Sequence, residues 1–128
     1  MANNDRRESS TSTRVLIVDD DIELMDAIAG WLEARCGAEV TACCSAEEAM
    51  VATIPGSFDV CLLDYRLDGA DGVTLGAMLR EINPDANLIL FSGELSAKLE
   101  TSALEHGFGR VFAKPVPPEV LVEVISTC

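Results

Sequence analysis

The stretch Val15-Leu16-Ile17-Val18-Asp19-Asp20-Asp21 decides how this chain folds, because four apolar residues lead directly into three carboxylates. A short β-branched run bounded by polar residues predicts a buried strand, here from Arg14 to Val18. Three adjacent carboxylates repel one another, and either solvation at the edge of the fold or a nearby cation relieves that repulsion. We therefore expect a site to be assembled at the end of this strand.

The composition indicates one globular domain. The 128 residues leave no room for two domains of ordinary size, and 48% of them are apolar, which is enough for a core. Residues 1–13 are polar, and we interpret them as a disordered leader before a domain over residues 14–128. The leader lacks the apolar segment of a signal peptide, and no apolar run is long enough to cross a membrane, so we expect a cytoplasmic protein.

The net charge argues against nucleic-acid binding, and the cysteine spacing argues against a zinc site. The chain has 22 acidic and 9 basic residues, a formal net charge of -13, which disfavours binding to nucleic-acid phosphates. The five cysteines are odd in number and their spacing matches no zinc pattern; they are Cys36, Cys43, Cys44, Cys61 and Cys128. We expect free thiols, with Cys61 packing as a small apolar side chain.

Strands and helices are predicted to alternate along the chain. Four further strands are predicted over Ala38–Ala42, Phe58–Leu63, Asn87–Phe91 and Arg110–Ala113. Five helices are predicted: from Asp20 or Asp21 to Cys36, from Ser45 to near Pro55, from the loop Tyr65–Gly72 to Asn83, from Glu94 to His106, and from Pro117 or Pro118 onward. Ser45 and Glu48 fit a capping box at the start of the second helix.

Two helices carry more specific expectations. The third helix is predicted to bury one face, formed by Leu75, Met78, Leu79 and Ile82. The fourth helix has few apolar residues, and we expect it to be the least firmly packed of the five.

The alternation predicts an α/β fold with a doubly wound five-stranded parallel sheet and helices on both faces. Strands that are apolar on both sides need such a covering, and crossovers between parallel strands are right-handed. Ligands bind outside the carboxyl ends of the strands in these folds. The residues predicted at those ends are Asp19, Asp20, Asp64, Ser92 and Lys114. We expect all of them to meet at one edge of the sheet.

The side chains at this edge suit phosphoryl transfer. Carboxylate oxygens are the ligands that Mg²⁺ prefers, while a lysine and a hydroxyl stabilise the charge on a phosphoryl group. An aspartate can itself be the nucleophile, and Asp64 is the natural candidate because it stands alone at the end of a central apolar strand. Each residue also has a purely structural explanation, such as a helix cap or a turn, but their coincidence at one edge favours a site.

Five segments together resemble the receiver domain of two-component response regulators. They are Val-Leu-Ile-Val-Asp-Asp-Asp at 15–21, Asp-Val-Cys-Leu-Leu-Asp-Tyr-Arg-Leu at 59–67, Asp-Gly at 71–72, Phe-Ser-Gly at 91–93 and Ala-Lys-Pro-Val at 113–116. The match covers about residues 14–127. It implies the flavodoxin-like receiver fold and a phosphorylation-controlled signalling switch. Such a domain is a phosphoacceptor rather than an enzyme, with at most self-phosphorylation from small donors and autodephosphorylation.

The resemblance also implies how the acceptor and its metal are held. Asp64 matches the phosphoacceptor that forms an aspartyl phosphate. Asp19 and Asp20 match the acid pair that binds Mg²⁺ together with Asp64. The backbone carbonyl of Arg66 matches a further metal ligand.

Three more residues take roles by the same resemblance. Ser92 matches the hydroxyl residue that contacts the phosphoryl group and helps to switch the domain. Lys114 matches the lysine that bridges to the acceptor, and Pro115 matches a proline that often follows a cis bond. The implied phosphodonor is a phosphohistidine on a histidine kinase or a histidine phosphotransfer protein, which would meet the first helix. An output domain or a second copy of the chain would meet the fourth-helix to fifth-helix face.

Two positions depart from the family's pattern. Asp68 stands where the family usually has proline, and Val111 stands where it usually has tyrosine or phenylalanine. Phe112 is one residue further along and should face the other side of the strand. We therefore expect Ser92 and the fourth helix, rather than a moving aromatic ring, to carry the output signal.

Arg66 and Glu94 lie two residues beyond Asp64 and Ser92. We expect their side chains to flank the mouth of the site and to control access of water.

Two alternative functions use the same residues. A metal-dependent phosphatase or hydrolase would need a deep substrate pocket and usually a cap domain, for which the length leaves no room. A pseudo-receiver would bind partners without phosphorylation, but such domains usually lack one of the acids or the lysine, and this chain has both.

Overall fold

The main sheet contains the five predicted strands, which span Arg14–Val18 (β1), Glu39–Cys43 (β2), Val60–Asp64 (β3), Asn87–Ser92 (β4) and Phe108–Ala113 (β5). They are all parallel and lie in the order β2-β1-β3-β4-β5. The computed structural model describes residues 12–67 and 70–127. Most of the predicted leader therefore lies outside the described residues, as do Asp68 and Cys128. The doubly wound parallel sheet is confirmed.

Five helices cover both faces of the sheet. They span Ile22–Cys36 (α1), Ala46–Ala52 (α2), Gly72–Ile82 (α3), Ala97–Glu105 (α4) and Pro118–Ser126 (α5). In β1, Val15 and Ile17 face α1 and α5, whereas Leu16 and Val18 face the other three helices. This two-sided burial explains why the strand is apolar throughout. Among the described residues, no helix is long and apolar enough to cross a membrane.

Two predicted helix starts are capped as expected. The Asp21 carboxylate accepts the N–H of Leu24 at 3.1 Å, so Asp21 is the N-cap of α1. At α2 the Ser45 hydroxyl accepts the N–H of Glu48 at 3.1 Å. The Glu48 carboxylate accepts the N–H of Cys44 at 2.9 Å, one residue before the cap, so the reciprocal bond of the capping box is shifted.

Several strand boundaries were predicted wrongly by one or two residues. The strands β2, β3 and β5 begin at Glu39, Val60 and Phe108 rather than at Ala38, Phe58 and Arg110. The strands β2, β3 and β4 each end one residue later than predicted. In β5, Phe108 pairs with Leu88 before an irregularity in the ladder. Phe108 is flanked by Gly107 and Gly109, a pattern typical of a turn, but the strand runs through Gly109.

Two helices are shorter than predicted. The helix α2 ends at Ala52, because the backbone of the next residue, Thr53, is extended, and the hydroxyl of Thr53 donates to the carbonyl of Ala49 at 2.6 Å. The helix α4 begins at Ala97 rather than at Glu94 because the hydroxyl of Ser96 provides the cap.

The packing of α3 and α4 differs in part from expectation. Met78 is 41% exposed, so the predicted apolar face of α3 is wrong there, and the small residue Gly76 is buried instead beneath the ring of Phe108. Of the nine residues of α4, only Ala103 is buried, which agrees with the sparse packing predicted. The short helix α2 is equally sparse, since it buries only Ala49.

The loop after β3 contains a structure that was not predicted. Arg66–Leu67 pairs antiparallel with Ala70–Asp71 in a separate two-stranded ribbon. Two-residue strands show no periodicity, so the sequence carries no pattern for them.

The starts of β1 and β3 are joined by Arg14 and Asp59. The backbone N–H of Arg14 donates to Asp59 Oδ2 at 2.8 Å, and the guanidinium donates to both carboxylate oxygens at 3.3 and 3.0 Å. Burial alone would raise the pKa of Asp59, but the hydrogen bonds from Arg14 outweigh burial and the pKa is lowered. A carboxyl with a lowered pKa stabilises the fold above its ordinary pKa, and this stabilisation is lost as the pH falls through the lowered value.

We predict that Asp59→Asn lowers the free energy of unfolding by at most about 1 kcal/mol at pH 7, because the pair is half-exposed. Urea unfolding at a series of pH values measures the effect. The difference in the free energy of unfolding between Asp59→Asn and the wild type should shrink as the pH falls through the lowered pKa of Asp59. Asp26→Asn, an exposed acid on α1, is the matched control and should change stability by less than about 0.5 kcal/mol. A loss that is equal at all pH values would contradict the prediction.

Candidate functional site

Three carboxylates and one lysine meet at the carboxyl edge of the sheet. Asp19 follows β1, Asp64 ends β3, and Lys114 follows β5. The Nζ atom of Lys114 lies 2.8 Å from Asp19 Oδ2 and 3.3 Å from Asp64 Oδ1. Carboxylate oxygens of Asp19, Asp20 and Asp64 all lie within 4.8 Å of one another. The structure therefore brings together the acids and the lysine that the sequence predicted at this edge.

The three consecutive acids after β1 have different environments. The side chain of Asp19 is only 3% exposed, and its Oδ1 accepts the N–H of Asp21 at 2.9 Å while its Oδ2 accepts from Lys114. Asp20 is exposed and belongs to the carboxylate cluster. Asp21 caps α1. The sequence left open which acid caps the helix, and the structure assigns that cap to Asp21.

The carboxylates leave the site with excess negative charge. Burial raises the pKa of Asp64, the neighbouring Asp19 raises it further, and Lys114 only partly opposes this. Burial alone would lower the pKa of Lys114, but its hydrogen bonds and charge pairing with Asp19 and Asp64 outweigh burial, so the pKa is raised. Lys114 is therefore a fixed cation that neutralises only part of the cluster.

The donor set of this cluster fits a hard divalent cation. Carboxylate oxygens from three residues, close together and one of them exposed, are typical ligands of Mg²⁺, which keeps some water in its coordination shell. A metal role for the backbone carbonyl of Arg66 stays a prediction.

Ser92 ends β4 and is buried beside the cluster. Its hydroxyl donates to the carbonyl of Glu94 at 2.8 Å and accepts the N–H of the same residue at 3.2 Å. The carbonyl of Ser92 accepts the N–H of Lys114 at 2.8 Å, which links the ends of β4 and β5. The hydroxyl of Ser92 is therefore engaged with the loop that leads to α4.

Arg66 and Glu94 form an ion pair across two loops, which the sequence did not indicate. The guanidinium of Arg66 lies 3.0 Å from Glu94 Oε1, and the two side chains are 77% and 82% exposed. The pair joins the loop after β3 to the loop after β4. Neither the pair nor the bonds between Ser92 and Glu94 follow from residue spacing, because both depend on the paths of two loops.

Phe112 faces the opposite side of β5 from Val111, as predicted. Val111 packs with the core beneath α2, α3 and α4, whereas Phe112 packs on the opposite face, with its ring 6.4 Å from that of Phe91. Position 111 therefore carries no ring next to α4. The Lys114–Pro115 peptide bond is cis, as the resemblance implied.

The four described cysteines are free thiols. Cys61 is fully buried in β3, and this burial raises its pKa to about 12. It packs as a small apolar side chain, which confirms the prediction for this residue.

The raised pKa of Asp64 leads to a prediction about stability. A carboxyl whose pKa is raised on folding destabilises the fold once it ionises, so the cost is absent below its ordinary pKa and complete above the raised value. Asp64→Asn should therefore raise the free energy of unfolding at pH 7 by about 1 kcal/mol relative to the wild type, as measured by urea unfolding. This gain should fade as the pH falls through the raised pKa of Asp64.

Addition of Mg²⁺ should narrow that difference, because a bound cation stabilises the wild type more than the variant. Asp26→Asn on α1 serves again as the control. An Asp64→Asn variant that is less stable than the wild type at pH 7 would contradict this view of the cluster.

Comparison with known proteins agrees with this geometry. A family model described as "Response regulator receiver domain" matches residues 15–126. The C4-dicarboxylate transport transcriptional regulatory protein DctD of Rhizobium meliloti is 29% identical over 114 residues, which cover 89% of this chain and 25% of that protein. The chain spans between 25% and 52% of the length of the curated relatives it matches.

Solved structures show the same architecture. A CheY-like response regulator receiver domain protein from Methanospirillum hungatei superimposes with a TM-score of 0.84 at 29% identity, covering 91% of this chain and 92% of that one. A response regulator from Burkholderia pseudomallei, solved with a phosphorylated aspartic acid, a calcium ion and citrate, gives a TM-score of 0.82 at 26% identity, covering 91% and 68%. The chain therefore belongs to the response regulator receiver domains, the phosphorylation-controlled switches of two-component signal transduction.

Proposed function

We propose that this chain accepts a phosphoryl group on Asp64 from a phosphohistidine, in a reaction that depends on Mg²⁺. One observation carries this assignment. Asp64 ends the central strand with its carboxylate 3.3 Å from the ammonium of Lys114 and within 4.8 Å of carboxylate oxygens of Asp19 and Asp20. The Burkholderia relative, whose structure contains a phosphorylated aspartic acid and a calcium ion, supports the same chemistry here.

The metal would be held by the carboxylates of Asp19, Asp20 and Asp64 and by the carbonyl of Arg66. When bound, Mg²⁺ offsets the repulsion between these acids and the incoming phosphoryl group. Asp19 is already fixed by the N–H of Asp21 and by Lys114, so it needs little rearrangement to serve as a ligand.

In the transfer step, a carboxylate oxygen of Asp64 forms a bond to phosphorus as the bond between phosphorus and the donor's imidazole nitrogen breaks. The imidazole leaves with the electron pair of the broken bond. Lys114, held against Asp64, stabilises the negative charge on the phosphoryl oxygens. In a separate step that resets the domain, the oxygen of a water molecule bonds to phosphorus as the bond between phosphorus and the Asp64 oxygen breaks. The Asp64 carboxylate leaves with the electron pair of that bond, the water loses its proton to solvent, and inorganic phosphate is released. Apart from accepting this phosphoryl group, self-phosphorylation from small donors and autodephosphorylation are the only reactions we assign to the domain.

Ser92 and α4 would carry the signal onward. To donate to a phosphoryl oxygen, the hydroxyl of Ser92 must give up its bond to the carbonyl of Glu94. That change moves residues 92–94 and the start of α4, a helix that buries only Ala103. Because position 111 is valine, the response needs no aromatic ring to move.

The partners follow from the exposed surfaces next to the site. We propose that the donor, a histidine kinase or a histidine phosphotransfer protein, meets the start of α1, where Ile22 is exposed beside Asp20. The face of α4 and α5 would meet an output domain or a second copy. We place the reaction in the cytoplasm, a compartment in which the cysteines would stay reduced.

Intact-mass measurement after incubation with acetyl phosphate and Mg²⁺ tests the proposal. We expect the wild type and Asp26→Asn to gain one phosphoryl group, and Asp64→Asn or a metal-free sample to gain none. The sample is then incubated with a phosphorylated histidine kinase as a second donor. No gain from either donor, or a gain that persists in Asp64→Asn, would contradict the assignment.

The ion pair between Arg66 and Glu94 gives a prediction about the lifetime of the phosphoryl group. The pair joins the loop that follows Asp64 to the loop that follows Ser92. We propose that it lies over the mouth of the site, so breaking it with Arg66→Asn should admit water and shorten the lifetime. An exposed pair contributes up to about 1 kcal/mol, which corresponds to at most about a fivefold change in rate. Decay of the phosphorylated mass with time measures the lifetime.

The charge-exchanged double variant Arg66→Glu with Glu94→Arg is the matched control. It should restore much of the lifetime, because it re-forms the pair with the charges reversed. A lifetime that Arg66→Asn leaves unchanged would contradict a role for the pair.

A further inference from the structure

Gly72 lies directly against the main chain of the proposed acceptor. It is the first residue of α3 and is buried. A Cβ atom at this position would lie 2.3 Å from the carbonyl oxygen of Asp64, 3.0 Å from its carbonyl carbon and 2.9 Å from Cδ1 of Leu90. The methyl group of Leu90 could rotate away, but the carbonyl of Asp64 is part of the backbone. Only glycine therefore lets α3 start against the end of β3.

Gly72 also bonds to the residue after the acceptor. Its N–H donates to the carbonyl of Tyr65 at 2.7 Å. The chain between these residues leaves the sheet through Arg66–Leu67 and returns through Ala70–Asp71. Gly72 thus joins the end of this ribbon to β3. The bond fixes the end of the loop that carries the carbonyl of Arg66.

The helix that begins at Gly72 is itself firmly anchored. The carboxylate of Asp71 accepts two hydrogen bonds from Thr74, one from the backbone N–H at 2.8 Å and one from the hydroxyl at 3.2 Å. These bonds fix the first turn of α3. Further along, Leu75 and Leu79 are fully buried in the core. Because α3 cannot withdraw without losing these contacts, a side chain at position 72 would instead displace the backbone of Asp64 and the loop after it.

We propose that Gly72 is a positioning residue for the acceptor site. Its missing side chain sets the main-chain position of Asp64, and its N–H sets the path of the loop that presents the carbonyl of Arg66. The inference rests on the proposed function in taking Asp64 as the acceptor and Arg66 as a metal ligand.

The same helix offers a matched control. Gly76 is buried one turn further along α3, and a Cβ atom there would lie 2.4 Å from Cζ and 2.6 Å from Cε1 of Phe108. Gly→Ala at either position adds the same methyl group to the same helix and overpacks a buried contact. Only position 72 contacts the acceptor, so a comparison of the two variants separates positioning from a general loss of packing.

The test compares Gly72→Ala with Gly76→Ala, each confirmed as folded by circular dichroism. Calorimetry measures Mg²⁺ affinity, and intact mass measures the initial rate of phosphorylation by acetyl phosphate at saturating Mg²⁺. We expect Gly72→Ala to weaken Mg²⁺ binding about tenfold and to slow phosphorylation roughly tenfold to a hundredfold. Gly76→Ala should lose stability but leave both quantities unchanged. Equal behaviour of the two variants in both measurements would overturn the proposal.

If Gly72→Ala does not fold, hydrogen exchange in the wild type tests whether Gly72 positions the acceptor site. Mg²⁺ should slow exchange of the Gly72 N–H more than that of the Gly76 N–H, because only the former holds the loop at the site. Equal slowing would overturn the proposal. If the wild type accepts no phosphoryl group from any donor, the proposed function fails, and the Mg²⁺ affinities of the two variants still test this inference.

Discussion

The repulsion among Asp19, Asp20 and Asp64, offset only in part by Lys114, is the constraint on which the site depends. Lys114 is shared between two of these carboxylates, and burial together with Asp19 keeps the pKa of Asp64 raised. Such a cluster favours any additional positive charge and resists any additional negative charge. A phosphoryl group can therefore reach it readily only together with a cation, which links the two proposed ligands physically.

The packed sheet holds these mutually repelling acids in place. The strands β1 and β3 are buried on both faces, so the backbone that carries Asp19 and Asp64 is held by packing from two sides. On the side of the site where Ser92 is bonded to Glu94, packing is sparser, because α4 buries only Ala103. The fold thus combines a rigid acceptor with a loop and a helix that can move at small cost.

The sequence predicts the parts of this site that depend on strand ends, and fails where loops decide. Asp19, Asp64, Ser92 and Lys114 follow apolar runs, so their meeting at one edge could be predicted from parallel topology alone. The pairing of Arg66 with Glu94 and the contact of Gly72 with Asp64 could not, because they depend on a ribbon of two-residue strands that has no periodicity. The exposure of Met78 was mispredicted for a related reason: the ring of Phe108, distant in sequence, occupies the space above Gly76.

A crystal structure of the chain with Mg²⁺ and beryllofluoride, a mimic of an acyl phosphate, tests the central claim most directly. We expect beryllium bonded to one carboxylate oxygen of Asp64. Mg²⁺ should be held among Asp19, Asp20, the other carboxylate oxygen of Asp64 and the carbonyl of Arg66. The hydroxyl of Ser92 should donate to one fluorine atom instead of to the carbonyl of Glu94. The ammonium of Lys114 should contact a second fluorine atom. A structure with the metal and beryllofluoride bound elsewhere, or with Ser92 still bonded to Glu94 beside an occupied Asp64, would contradict it.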